Sequence, residues 1–259
     1  MDLNTETVKC QVNEHIALVT MDSPPVNAQG RQFHEDMQHV FDTLSDIDDV
    51  RVAVLTGAGK HFSAGAEIKN RAKEERGPGE GWGHSRRARE CFHAIVECKK
   101  PVIGAVNGVA LGAGLAVAAS CDILFAAEST RMGLPEIDVG LLGGGRHTMR
   151  LFGHSRTRRM MFTGYRVPGP ELYRLGVVEA CVPDDKLLET AMEMAREIAS
   201  KSPIAMRLAK HALNTIEAMS LRDGYRFEQG MTAALSQYED SKEAMLAFSE
   251  KRAPVFKNR

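Results

Sequence analysis

Apolar and polar positions alternate along this chain in two rhythms. His15 to Met21 follows a period of two and is rich in Val and Ile, which predicts a strand ended by Pro24-Pro25. From Gln32 the period lengthens. Phe33, Met37, Val40, Phe41 and Leu44 fall on one helical face. Val50 to Thr56 is an apolar strand closed by Gly57-Ala58-Gly59, and strand–helix–strand in that order predicts a right-handed parallel crossover. Ala88, Cys91, Phe92, Ile95 and Val96 define a second helix face. Ile123 to Ala126 reads as another buried strand. From Ser155 onward the pattern predicts helices to the end of the chain, with Leu187, Leu188, Ala191, Met194, Ala195 and Ile198 on one face. Ser202-Pro203 is the cap and first turn of a further helix.

The most distinctive stretch runs from Lys100 to Asp122, with no charge between its ends. Val102 to Val106 predicts a strand buried on both faces, stopped by Asn107-Gly108. Gly112-Ala113-Gly114 is a turn of small residues, and Leu115 to Ala119 continues as a helix. The first amides of such a helix have no partner inside it and can hold a negative oxygen. Two other readings compete. A membrane span needs ~20 apolar residues, but the glycines, the leading proline, Asn107 and Ser120 argue against it. Taken alone, the stretch reads first as a buried strand–turn–helix with no chemistry, because small-residue turns usually serve packing.

A second small-residue turn, Phe62-Ser63-Ala64-Gly65-Ala66, follows the strand ending at Gly57. Gly57-Ala58-Gly59-Lys60 lacks the glycine spacing and the hydroxyl residue of a phosphate loop. Asn70 to Ser85 is charged and then glycine-rich. It reads either as a solvated loop or as a flap with Trp82 beneath it. Pro135 holds Leu134 extended and presents Glu136 between apolar neighbours, where burial raises a carboxyl pKa toward neutrality. A surface or helix-capping glutamate is the alternative. Asp138 reads as structural, two positions on and leaving the site.

Composition narrows the classes. The 259 residues suffice for a full core. Thirty-three basic against 34 acidic side chains leave no excess that points to nucleic acid. Five cysteines without metal-knuckle spacing argue against a disulfide framework, and the polar N-terminal residues resemble no targeting peptide, so cytoplasm is the default compartment. Two amide-rich turns and one loop carboxylate suit one chemistry: holding a carbonyl oxygen that gains charge while a proton moves at the adjacent carbon.

These pieces resemble the crotonase (enoyl-CoA hydratase/isomerase) superfamily. The resemblance rests on Phe62 to Lys69, Pro101 to Gly108 running on through Ser120-Cys121-Asp122, Pro135-Glu136-Ile137, and the ending from Phe248 to Phe256, all in the family's order and spacing. It implies an α/β spiral of ββα units over residues 1–198 and a C-terminal helical oligomerisation region over 199–259, assembling as trimers or dimers of trimers. It implies an acyl-CoA thioester as substrate, with CoA part of that substrate and no separate cofactor, metal, nucleic acid or membrane partner. The matching oxyanion donors are the amides of Ala66 and Ala113, and the acid–base group is Glu136. Pro25, Val26, Ser63, Ala64, Ile68, Gly112 and Lys251 fall where the family contacts substrate or CoA, Lys251 from a neighbouring subunit. Three departures stand out. Ala113 replaces the usual glycine of the turn. Ala116 occupies the position of a second catalytic glutamate. Arg146 and His147 stand in a segment that is often glycine-rich, His147 reading as a polar loop residue or a substitute acid–base group. A single carboxylate leans the reading toward double-bond isomerisation or another one-base reaction. Hydration, thioester hydrolysis, C–C lysis and a non-catalytic acyl-CoA-binding oligomer are the alternatives.

Overall fold

The computed structural model describes residues 3–68 and 77–259. The chain opens with β1 (Val8–Asn13), β2 (Ile16–Met21), the short β3 (Ala28–Gln29) and α1 (Arg31–Asp46). The next turn is β4 (Val52–Gly57), β5 (Gly65–Ala66) and α2 (Glu80–Glu97). The third is β6 (Val102–Val106), β7 (Val109–Leu111) and α3 (Ala113–Ser120). Then come β8 (Ile123–Ala127), β9 (Arg131–Gly133), a 3-10 turn over Pro135–Val139, α4 (Gly145–Leu151), α5 (His154–Thr163), β10 (Arg166–Pro168), α6 (Gly169–Arg174), β11 (Ala180–Val182) and a second 3-10 turn over Asp184–Lys186. Four helices finish it: α7 (Leu187–Ala199), α8 (Pro203–Ile216), α9 (Leu221–Leu235) and α10 (Glu239–Glu250).

Each ββα turn gives its long strand to a six-stranded sheet ordered β1-β2-β4-β6-β8-β11 and its short strand to a separate small sheet, β3-β5 or β10-β9-β7. All neighbours in the large sheet are parallel except β1, which pairs antiparallel with β2 at the edge.

The alternating pattern of the strands is used on both faces. Ala53 and Leu55 of β4, with Val102 and Val106 of β6, belong to one apolar cluster with buried residues of α1, α2 and α3. Val52 and Val54, with Ile103 and Ala105, face α7, which buries Leu187, Ala191, Ala195 and Ala199. Helix α1 buries all five residues that share its predicted face, and Ser202 caps α8 by accepting from the Ala205 amide.

Three expectations are corrected. The region after Ser155 is not wholly helical: β10 pairs with β9 and β11 with β8, and the helices begin at Gly145. Strands of three residues are too short to print a period, and their pairing is long-range. Trp82 lies beneath nothing among the described residues. It sits in the first turn of α2 and is 84% exposed. Residues 69–76 of the charged stretch lie outside the described residues. Leu188, assigned to the buried face of α7, is 41% exposed. Among the described residues no helix is long and apolar enough to cross a membrane.

The Lys100–Asp122 stretch closes on itself. Asp122 accepts from the Val102 amide at 2.7 Å, and the Asp122 amide donates back to the Val102 carbonyl. Lys210 of α8, only 6% exposed, then pairs with Asp122 at 2.8 Å and donates to the carbonyls of Ile95 and Lys100. One ammonium thus ties the ends of α2, β6 and α3 to the C-terminal helices. Lys210→Met leaves the carboxylate without its counter-ion and two carbonyls without this donor, and is expected to cost about 3 kcal/mol, read as a lower denaturant midpoint with unchanged slope.

Candidate active site

The site is built on backbone contact between two turns. Asn107, at the end of β6, holds the β4 exit turn: its amide donates to the carbonyls of Gly57 and Gly59, and its oxygen accepts from the Gly57 amide. The loop after β4 then runs along β7. Phe62 donates to Asn107, Ser63 to Val109, and Leu111 back to Ser63. The approach is too close for side chains. A Cβ on Gly114 would lie 2.2 Å from the Ser63 carbonyl oxygen, and one on Gly65 would lie 2.4 Å from that of Leu111 and 3.2 Å from the Ala113 nitrogen. Gly65 also has φ of +91°, which glycine adopts without strain.

That contact brings the two predicted amides together. Ala113 is the first residue of α3, so helix geometry gives its N–H no internal acceptor. In β5 the Glu67 amide donates to Gln29 of β3, so the preceding Ala66 amide points to the other side of the strand. Ala64, Gly65, Ala66, Ile68, Gly112, Ala113, Ala116 and Glu136 all line one cavity of about 610 Å³.

Glu136 enters from the 3-10 turn after β9, with Pro135 at its start as the sequence suggested. Its carboxylate lies against the bare backbone of Gly112, where a Cβ would come within 2.5 Å of Oε1. Its Oε2 is buried and has no hydrogen-bond partner in the protein. Burial raises its pKa above the usual carboxylate range, offset in part by a bond from its own amide.

The remaining sequence candidates separate into wall and scaffold. Ser63 is fully buried and its hydroxyl is committed: it donates to the Asn27 carbonyl and accepts from Gln29 and from the Gly65 amide. Val26 acts through its carbonyl, which takes the Ala64 amide. Neither these two nor Pro25 lines the cavity. Lys251 caps the C-terminus of α10 with φ of +55° and is also outside the lining.

Two assignments change. Asp138, read as leaving the site, lines the cavity, because the 3-10 turn advances its side chains by about 120° per residue and wraps back toward the opening. His147 is not a loop residue. It lies on α4, lines the cavity and meets the Phe92 ring edge-on at 5.0 Å. Burial, then the charges of Arg150, His93 and Arg146, lower its pKa. Ala116 is 1% exposed and presents a methyl one turn into α3, so that helix supplies no second acid. Sequence reasoning missed His34 and His84, which also line the cavity. For His34 a signal existed: position 34 belongs to the core face of α1, spaced three and seven residues from Met37 and Phe41. Among the described residues, no group of three His, Cys, Asp or Glu side chains is placed to hold a metal ion.

This arrangement can be compared with known proteins. The enoyl-CoA hydratase/isomerase family profile matches residues 11–259. The chain belongs to that family. It is 35% identical over 265 residues to the short-chain-enoyl-CoA hydratase of Clostridium acetobutylicum, with each chain covered in full. It is 36% identical over 221 residues to a Mycobacterium tuberculosis protein named (7aS)-7a-methyl-1,5-dioxo-2,3,5,6,7,7a-hexahydro-1H-indene-carboxyl-CoA hydrolase, covering 85% of this chain and 89% of that one. The crystal structure of an enoyl-CoA hydratase from Bacillus anthracis superposes with a TM-score of 0.92 at 31% identity, covering 98% of this chain and all of the other. The crotonase-like spiral implied by the motifs is therefore the fold of this family member, C-terminal helices included.

In this hydratase/isomerase-family site the glutamate costs stability. A carboxyl whose folded pKa is raised binds its proton more tightly in the folded state. Its contribution to stability is present below the ordinary glutamate range and is lost as pH rises through the raised value. Glu136→Gln is accordingly expected to melt higher than the parent at neutral pH, with the gap closing in acid, as followed by thermal unfolding across pH.

Proposed function

We propose that the chain hydrates a 2-enoyl-CoA, with the thioester oxygen held by the amides of Ala66 and Ala113 and with Glu136 moving the proton. The observation that carries the reading is the buried, unpartnered Glu136 oxygen set against the bare start of α3. Glu136 takes a proton from water as the water oxygen bonds to C3. The C2=C3 electrons move toward the carbonyl, and the resulting enolate oxygen rests on the two amides. The same carboxyl then returns the proton to C2. CoA arrives as part of the substrate, and the steps use no separate cofactor. In this reading Ala64, Ile68 and Gly112 contact the ligand directly. Pro25, Val26 and Ser63 act by shaping the loop, and Lys251 reaches the nucleotide of a neighbouring subunit's ligand. Relatives named as hydratases favour this chemistry over isomerisation as the first reading.

A second reading rests on Ala116. With no second acid on α3, one base can remove a proton from C2 of a 3-enoyl-CoA and return it at C4. Crotonyl-CoA and a 3-enoyl-CoA, given separately to the purified protein and followed by mass spectrometry, divide the readings. A gain of water supports hydration, and a shifted double bond supports isomerisation. Release of free CoA or a shortened acyl chain points to hydrolysis or C–C lysis. No turnover of either substrate leaves a binding protein. For the enzyme, Glu136→Gln is expected to lower kcat by ~10²–10⁴ while CoA-ligand binding persists. The acid limb of the parent pH profile should lie above the usual carboxylate range, because only the deprotonated carboxyl takes a proton.

The helices after α7 support an oligomer. Within one chain α9 buries only Gly224 along its 15 residues, and Leu221 is 92% exposed, Phe248 87% and Tyr225 60%. An amphipathic helix with an uncovered apolar side needs a partner. We assign that partner to further copies of this chain, as a trimer or dimer of trimers, in the cytoplasm, where five free cysteines stay reduced. Light scattering should return a multiple of three chains, and Leu221→Asp with Phe248→Asp should shift the mass toward one chain.

A further inference from the structure

The cavity holds a polar group that the proposed steps do not use. His34 is 2% exposed, lines the cavity, and neither of its ring nitrogens has a hydrogen-bond partner. Buried polar atoms are seldom left this way, because the lost hydration is not repaid within the protein. Phe33 and His84 contact the ring, at centroid distances of 6.1 and 5.8 Å.

The neighbours say what kind of atom is missing. Burial first, then the charges of His84 and Arg87 against that of Glu35, push His34 down to about 4. Near neutral pH the ring therefore carries one N–H and one lone pair, both unused. That is a match for an uncharged oxygen: a hydroxyl uses both, a ketone takes the N–H. A carboxylate is the competing ligand, because Arg89 and Arg166 also line the cavity.

The position within the cavity points to the acyl chain. His84, Ala88 and Phe92 repeat every four residues along one face of α2, and all line the cavity. Phe92 touches His147 of α4, while His84 touches His34. An acyl chain that follows this face from Phe92 back to His84 covers about 12 Å and ends at the imidazole pair.

We infer that His34 and His84 form an oxygen-recognising subsite, and that the acyl group taken by this enzyme carries a keto or hydroxyl oxygen beyond C3. The inference rests on the acyl-CoA reading of the site. It is tested by calorimetric binding of saturated ligands, which cannot be hydrated: decanoyl-CoA against its keto and hydroxyl derivatives oxygenated near the chain end. Either oxygenated ligand should bind about 10-fold tighter than decanoyl-CoA, the size of one added hydrogen bond to a buried group. His34→Phe and His34→Leu should remove that preference. Equal binding of all three to the native protein overturns the inference and leaves the acyl-CoA reading standing. A preference that survives in either variant overturns it, as does tighter binding of a terminal carboxylate than of both neutral oxygens. Failure of every CoA ligand to bind overturns both. The native comparison alone decides if neither variant folds.

Discussion

The site depends on a contact between two stretches of bare backbone. Gly65 and Gly114 let the loop after β4 lie on the β7–α3 turn, with carbonyl oxygens where a Cβ would otherwise be. Without that approach the Ala66 and Ala113 amides belong to separate loops. The contact is then held from outside by side-chain amides. Asn107 ties the β4 exit to the end of β6, Asn27 donates to Ala58 and His61, and Gln29 donates to the buried Ser63 hydroxyl. These bonds join residues 31 to 50 positions apart and are at least partly buried, so the folded chain itself holds the two turns against each other.

What the cavity contains runs against folding. Its walls are mostly small or apolar, yet Glu136 and His34 are buried there with polar atoms unmatched. Each is a cost that the surrounding core offsets, notably the two-sided packing of β4 and β6. The two groups are perturbed in opposite senses by the same cause. Burial disfavours charge, raising the carboxyl and lowering the imidazole, so both tend toward neutrality.

The parts of this structure that were legible in the sequence are those set by local rules. The core stripe of α1, the buried strand Val102–Val106, the helix begun at the Gly112 turn and the Ser202 cap each follow from a few neighbouring residues. Glu136 was legible because a proline stiffens its approach. β10 and β11 were not, since three-residue strands carry no period and exist only through β9 and β8. Ser63 illustrates a different limit. Its position in the motif is unmistakable, but whether its hydroxyl faces ligand or scaffold depends on Asn27 and Gln29, more than 30 residues away. His34 was hidden for the converse reason: its helix face reads as core, and only the cavity beside it separates a tolerated polar residue from a useful one.

Just past the helix that carries the Ala113 amide, the chain is tied to the C-terminal helices. α3 ends at Ser120, and two residues later Asp122 meets both the Val102 amide and Lys210 of α8. α8 packs on α9, whose apolar side is uncovered in the single chain. Buried contacts thus run from α9 through α8 and one ammonium group to the residues that follow α3. Because α3 is eight residues long and buried almost throughout, it has no slack in which to absorb a shift. Lys210 therefore links the packing of α8 to the end of α3 opposite Ala113.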